Sequence, residues 1–424
     1  MDAELITNLN SVIVLLFCAL SAYQYIYILV SILFPSRRFA TGKAHRYAVL
    51  ICARNEESVV AQLIDSVKKQ DYPAELIDIY LLADNCTDNT RGVAEAAGAT
   101  VYERHDMTHI GKGYAMHELL TRLRADKGKE YYDGYFVFDA DNLLATDYIR
   151  QMNTVFSNGY RIVTSYRNSK NFCHNWVTAG YGVMFLREAR HMNNARMILH
   201  SSCAVSGTGF LVHRDIINEN DGWPYYTLTE DLEFTMDRIA KGDRIGYCHD
   251  AIFYDEQPTK FRQSWSQRIR WTKGFIQAFF KRGGRILRGM FTKRCGFSCF
   301  DEVMSTMPNI LLAVFGAISA LTMVYSLAFV DGYDFGHFMQ SFIVSLGSIY
   351  FVNFFLGMLT VITEWKKING STARKIRYMF TFPLFIITGI PINVAAIFVK
   401  GKWKQIRHSD ATTIDQLTGE RQEK

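Results

Sequence analysis

Three short stretches carry residue types that could do chemistry. In FDADN, Asp139 and Asp141 stand two apart, and positions i and i+2 of an extended chain face the same way, so both carboxylates address one site. Two carboxylates with few other ligands suit Mg2+ or Mn2+, which completes its coordination with water and substrate phosphates and steadies a departing diphosphate. In TLTEDLEFTMDRIA (227–240), Leu232, Met236 and Ile239 have helical spacing. That puts Glu230 and Asp231 in a first turn behind Thr229, a residue type that caps helices. Acids there complement the helix dipole. A carboxylate held ionised at that end also suits a general base, the role given to Asp231 with Glu230 beside it. In RQSWSQRIRWTKG, Gln267, Arg270 and Trp271 fall at i, i+3 and i+4, one face of a helix. An amide, a guanidinium and an indole together can hold diphosphate oxygens and stack on a sugar ring. A basic helix bearing Trp equally suits a membrane interface.

The elements that must position these residues follow from hydrophobic pattern. YAVLICARN, IDIYLLADN, ATVYERH and YYDGYFVFDADN are apolar runs ended by polar residues, hence buried strands. ESVVAQLIDSVKK (57–69), TDNTRGVAEAAG and GKGYAMHELLTRLRA, set between them, have helical spacing. Repeated strand–helix units predict an α/β domain with a largely parallel sheet, whose ligands sit beyond the carboxyl ends of the strands. Those ends are ARNE, ADNC and DADN, all polar and rich in acids. No GxGxxG follows the first strand, which argues against a dinucleotide cofactor.

Outside residues 47–250 the chain turns apolar. SVIVLLFCALSAYQYIYILVSILF (11–34) exceeds the roughly 20 residues that cross a bilayer. A signal peptide fits poorly, because MDAELITNLN has no Lys or Arg. The flank SRRFATGKAHR puts the N-terminus outside and residue 40 onward in the cytoplasm. Further runs lie at 309–330, 338–362 and 378–399; the last has basic flanks and carries Pro383 and Pro391, so a re-entrant or interfacial segment competes with a simple crossing. The expected division is a membrane helix (1–36), a cytoplasmic domain (37–260), interfacial helices (261–305), membrane helices (306–400) and a cytoplasmic tail (401–424). A multi-pass cell-membrane protein follows. The net charge is +6, with Lys and Arg gathered beside apolar runs, which marks lipid contact and excludes nucleic acid as the partner. The eight cysteines are scattered and read as free thiols.

ARNE, ADN, DAD, TED and QRIRW, in that order over residues 47–275, resemble the processive family-2 glycosyltransferases, the group of cellulose, chitin, hyaluronan and poly-N-acetylglucosamine synthases. The resemblance implies a GT-A (Rossmann-like) fold, a UDP-sugar donor, a divalent metal and inversion to a β-linkage. It implies that Arg54, Asn55, Glu56 and Asp84 hold the uridine and that Lys112 lies near the pyrophosphate. Asp141 would bind metal and Asp139 the nucleotide, with Asp231 as base. Gln267, Arg270 and Trp271 would line the diphosphate and acceptor sites. SGTGF, with Gly207, Thr208 and Gly209, takes the place of the acceptor-lining loop, without the cysteine typical of cellulose synthases. The tail WKQIRHS, from Trp403, loosely resembles a gating segment of hyaluronan-type enzymes. The expected activity is elongation and export of a β-linked polysaccharide from UDP-glucose or UDP-N-acetylglucosamine. The alternative is transfer of one sugar to a membrane lipid. Four apolar runs are few for a pore, which leaves room for a homo-oligomer or an accessory export protein.

Overall fold

Apolar strand runs dictate where the core forms. In the computed structural model, residues 19–20, 22–307, 335–399 and 408–419, with Leu311 and Tyr325, are described. The strands are β1 (Tyr47–Ala53), β2 (Ile77–Asp84), β3 (Thr100–Arg104), β4 (Gly134–Asp139), β5 (Leu143–Leu144), β6 (Ile162–Ser169), β7 (Phe210–His213) and β8 (Ile245–Asp255). They form one sheet in the order β3-β2-β1-β4-β7-β6-β8-β5. β1 to β4 are mutually parallel, joined by helices Val60–Lys68, Thr90–Ala96 and Lys112–Lys127 as the periodicity predicts. β1 lies at the centre of this half, and Tyr47, Val49, Leu50 and Ile51 are essentially inaccessible. Burying each such aliphatic side chain contributes about 1.5–3 kcal/mol.

The second half of the sheet departs from the parallel expectation. β7 runs antiparallel to both β4 and β6, and β5 antiparallel to β8, while β6 and β8 are parallel. β7 is four residues long and follows the SGTGF loop directly. It therefore returns that loop to the carboxyl end of β4 instead of starting another strand–helix unit.

Helices flank the sheet and then leave it. Helix Trp176–Arg187 continues through a π-helical turn, Glu188–Asn193, into Asn194–Ile198. The 29-residue helix Phe261–Gly289 packs along helix Glu230–Ala240. Two described helical stretches, Leu346–Thr363 and Thr372–Phe398, are long and apolar enough to cross a membrane. The second is broken only at Thr388, so its length suits a crossing as well as the re-entrant path, with Pro383 inside the first piece and Pro391 in the first turn of the second. Helix Tyr23–Leu33 anchors one face through Tyr27 and Val30 against Met192 and Ala195 and exposes Tyr25, Ile26, Leu29 and Leu33 on the other. The run 309–330, apart from Leu311 and Tyr325, and Trp403 lie outside the described residues. All seven described cysteines are free.

The segment 408–419 straps across the α/β domain. Asp415 pairs with Lys69 at 2.8 Å, Asn369 donates to the Leu417 carbonyl, and Ile414 is buried.

Candidate active site

Strand ends and one helix start bring the chemistry-bearing residues together. β1 and β2 each end on an asparagine in the left-handed region, Asn55 and Asn85, both with φ near 54°. Asn is among the few non-glycine residues that adopt this turn readily. Asn55 accepts the Thr87 amide at 2.7 Å, and Asn85 donates to Asp84 at 2.9 Å. Asp84 is buried in an ion pair with Arg104 at 2.7 Å, yet desolvation still raises its pKa. Glu56 is buried beside them and accepts from His408 Nδ1 at 3.0 Å. Burial pushes the Glu56 carboxyl up to about 7. His408 rises to about 10, because the negative charges of Asp141, Glu56 and Glu256 outweigh its own burial. The Ser409 and Asp410 amides donate to the Glu256 carboxylate at 3.0 and 2.9 Å.

At the end of β4 the two aspartates part company. Asp141 is 4% exposed, accepts the Glu256 amide at 2.8 Å, and is held below its ordinary pKa despite burial by His408, Lys170 and that hydrogen bond. Asp139 is half-exposed and pairs with the Lys112 ammonium, which also donates to the Gly207 carbonyl at 2.8 Å. Burial works against the Lys112 charge, but Asp139 and Glu230 raise its pKa overall. Lys112 is thus already engaged by protein groups. Among the described residues no three His, Cys, Asp or Glu side chains form a ready metal cage. Asp141 with Asp139 nearby still fits a hard divalent ion that takes most of its ligands from water and phosphate.

The SGTGF loop folds back on this strand end. Thr208 is buried, accepts the Asp139 amide at 2.9 Å and donates to Asn142, so its hydroxyl supports the aspartate turn. Gly207, at φ +76°, is the loop residue that faces Asp231; a Cβ there would stand 3.7 Å from Asp231 Oδ2. Gly209, at φ +67°, packs so close to Phe253 that a Cβ would overlap the ring.

Glu230 and Asp231 do open a helix, but Thr229 gives it no side-chain cap. The Asp231 carboxylate takes the amide hydrogens of Asp231 and Leu232 itself. Burial, aided by their mutual repulsion, raises Glu230 to about 7, and burial raises Asp231 as well. Lys112 and Arg270 pull both back toward ionisation. The helix register brings Arg270 to this pair, with Gln267 one turn before it. Gln267 Oε1 and Arg270 Nε are buried without a hydrogen-bond partner among the described residues. Trp271 instead wedges edge-on between Tyr181 and Phe185, at 5.7 and 6.3 Å, in a cluster completed by Phe385. An open groove of about 670 Å3 lies alongside, between helices Lys112–Lys127 and Phe261–Gly289. Tyr114 and Tyr226 stack on its wall at 4.5 Å, and Phe280 is 84% exposed.

Sequence reasoning missed His408, Glu256, Lys170 and Arg167, which surround Asp141. The tail holding His408 carried a Trp–Arg signal only, and the other three sit in stretches with no motif.

A family model described as glycosyltransferase-like family 2 matches residues 45–274, more than half of the chain. The chain belongs to this family. The β-monoglucosyldiacylglycerol synthase of Synechocystis is 24% identical over 237 residues, 54% of this chain and 48% of that protein. The "Probable glycosyltransferase YdaM" of Bacillus subtilis is 25% identical over 278 residues, 58% of this chain and 61% of that one. The chain thus spans about half to three-fifths of the length of these relatives. In fold it is similar to the mannosyltransferase PcManGT of Pyrobaculum calidifontis, solved with GDP-Man and Mn2+, at a TM-score of 0.50 and 13% identity, covering 89% of this chain and 97% of that one. The GT-A-like α/β fold and the enzyme class expected from the sequence agree with these findings.

Proposed function

We propose that this glycosyltransferase transfers a single hexose from a nucleotide-sugar, UDP-sugar by the motif set, to a membrane lipid. The observation that carries the reading is the opposite tuning of Asp141 and of the Glu230–Asp231 pair. Asp141 is kept anionic among cations, as a group that faces a metal and a diphosphate must be. Glu230 and Asp231 are pushed toward holding a proton, as an acid–base group must be.

In the proposed reaction the acceptor hydroxyl attacks the anomeric carbon from the face opposite the diphosphate. Asp231 takes the hydroxyl proton as the new C–O bond forms. The bond to the diphosphate breaks and its electron pair leaves with the nucleotide. Arg270, whose buried Nε lacks a hydrogen-bond partner among the described residues, supplies a hydrogen bond to the leaving oxygens, with the Gln267 amide one turn before it. Mg2+ or Mn2+ held at Asp141 and Asp139 would supply Lewis-acid stabilisation of the same charge. Inversion gives a β-linkage.

The lipid acceptor draws support from the Synechocystis relative, whose name includes a diacylglycerol product, and from two helices long and apolar enough to cross a membrane. The groove lined by Tyr114, Tyr226, Thr227, Ile276 and Phe280 would admit a lipid's glycerol and first methylenes. A polymer product is the second reading. It rests on the QRIRW face, where Trp271 is partly taken up by packing against Tyr181, Phe185 and Phe385. The test is size-resolved product analysis with radiolabelled UDP-sugars in membranes. One sugar on an extractable lipid is the expected result; a high-molecular-weight β-glycan would overturn it.

A further inference from the structure

Beside the strand end that holds Asp141 lies a lysine that no motif marks. β6 ends at Ser169, which pairs with Asp255 of β8, and the next amide, that of Lys170, donates to the Asp255 carbonyl at 2.9 Å. The following residue of β8's exit, Glu256, donates its amide to Asp141. Two strand ends thereby hold Lys170 and Asp141 as neighbours. Lys170 is 7% exposed, and its Nζ has no hydrogen-bond partner among the described residues.

The other charges around it are spent. Arg167 binds Asp255 through Nε at 2.7 Å and the Ser206 carbonyl at 3.0 Å, with its guanidinium stacked over the Phe185 ring. Asp255 also accepts from Gln257 at 2.6 Å, and Glu56 is matched by His408. A buried ammonium with no acceptor is costly to keep, and folds retain one where something else completes it. Asp141 gives Lys170 a nearby negative charge but no hydrogen bond; the acceptor that completes Nζ must reach the neighbourhood of Asp141, and a nucleotide diphosphate is the anion that the site's chemistry calls for. Resting on the proposed nucleotide-sugar donor, we infer that Lys170 binds the diphosphate of the donor and carries part of the leaving group's charge. This gives the diphosphate a cation built into the sheet, independent of a metal ion and on a different element from Arg270.

The test compares binding of uridine, UMP, UDP and GDP to the detergent-solubilised full chain by calorimetry, in EDTA and again in Mg2+. K170M is expected to lose at least about tenfold in UDP affinity in both buffers and to leave uridine affinity unchanged, with K170R restoring most of the loss. Equal UDP affinity in K170M and wild type, or equal loss for uridine and UDP, would overturn the inference. If K170M does not fold, K170Q decides: a lowered ratio of UDP to uridine affinity supports a phosphate contact, and an unchanged ratio removes it. Failure of wild type to bind UDP or GDP would instead overturn the donor assignment and this inference with it.

Discussion

The end of β4 and the start of helix Glu230–Ala240 each present two carboxylates, and the two places treat them in opposite ways. At β4, Asp139 pairs with Lys112, and Asp141 sits among His408, Lys170 and the Glu256 amide. Cations and a donor hold that end negative. At the helix start, Glu230 and Asp231 are adjacent and buried together, so burial drives both toward protonation, and the Asp231 charge adds to the rise at Glu230. The same residue types thus give an anionic anchor in one place and a proton acceptor in the other. Their neighbours decide, and not their own identity.

Five substitutions would break or sharpen that contrast. The largest effect is expected for Asp231→Asn, which should lower kcat about 10²–10⁴-fold while UDP affinity stays within about threefold. Asp141→Asn should do the reverse, with donor affinity carrying most of the loss; equal effects on binding in the two variants would erase the distinction. Gly207→Ala comes next. At φ +76° it should destabilise the fold by about 1 kcal/mol and reduce turnover more than donor affinity, since the loop faces Asp231. Thermal unfolding alongside steady-state kinetics separates the two effects.

A subtler effect concerns pH. The Glu230 pKa is raised on folding, so the folded state binds the extra proton and stability falls as pH climbs from the ordinary carboxylate range through about 7. Glu230→Gln removes that loss. Its Tm should exceed wild type by a few degrees at pH 8 and match it near pH 4; a constant offset would mean that burial and repulsion are not the cause. The smallest expected change is His408→Gln. It frees Glu56 from its partner and should weaken donor binding by about threefold to tenfold, measured as a rise in KM with kcat little altered.

Much of this site could be read in one dimension because local geometry builds it. Strands β1, β2 and β4 end where apolar runs stop, and the Asn and Asp residues at those ends follow the turn that each strand must make. The i, i+3, i+4 spacing of Gln267, Arg270 and Trp271 is likewise a property of a single helix. What stayed hidden depends on contacts across the chain. His408 meets Glu56 over 352 residues, and no periodicity can announce such a pairing. Lys112 is taken up by Asp139 and Gly207, which its position in GKGY does not reveal. Thr229 looked like a cap, but Asp231 satisfies the first-turn amides, and Glu233 reaches back to the Tyr226 and Thr227 amides at 3.2 Å. The antiparallel β7 was illegible for a related reason: four residues are too few to carry a pattern.

The strap from His408 to Gly419 also sets a schedule. It follows the apolar helices in the chain, so a ribosome releases it only after Leu346–Thr363 and Thr372–Phe398 have been made. Until then Glu56 has no imidazole beside it, and Glu256 lacks the two amides that fix its carboxylate. The half-made chain therefore lacks these contacts at the strand ends while its apolar helices are being made.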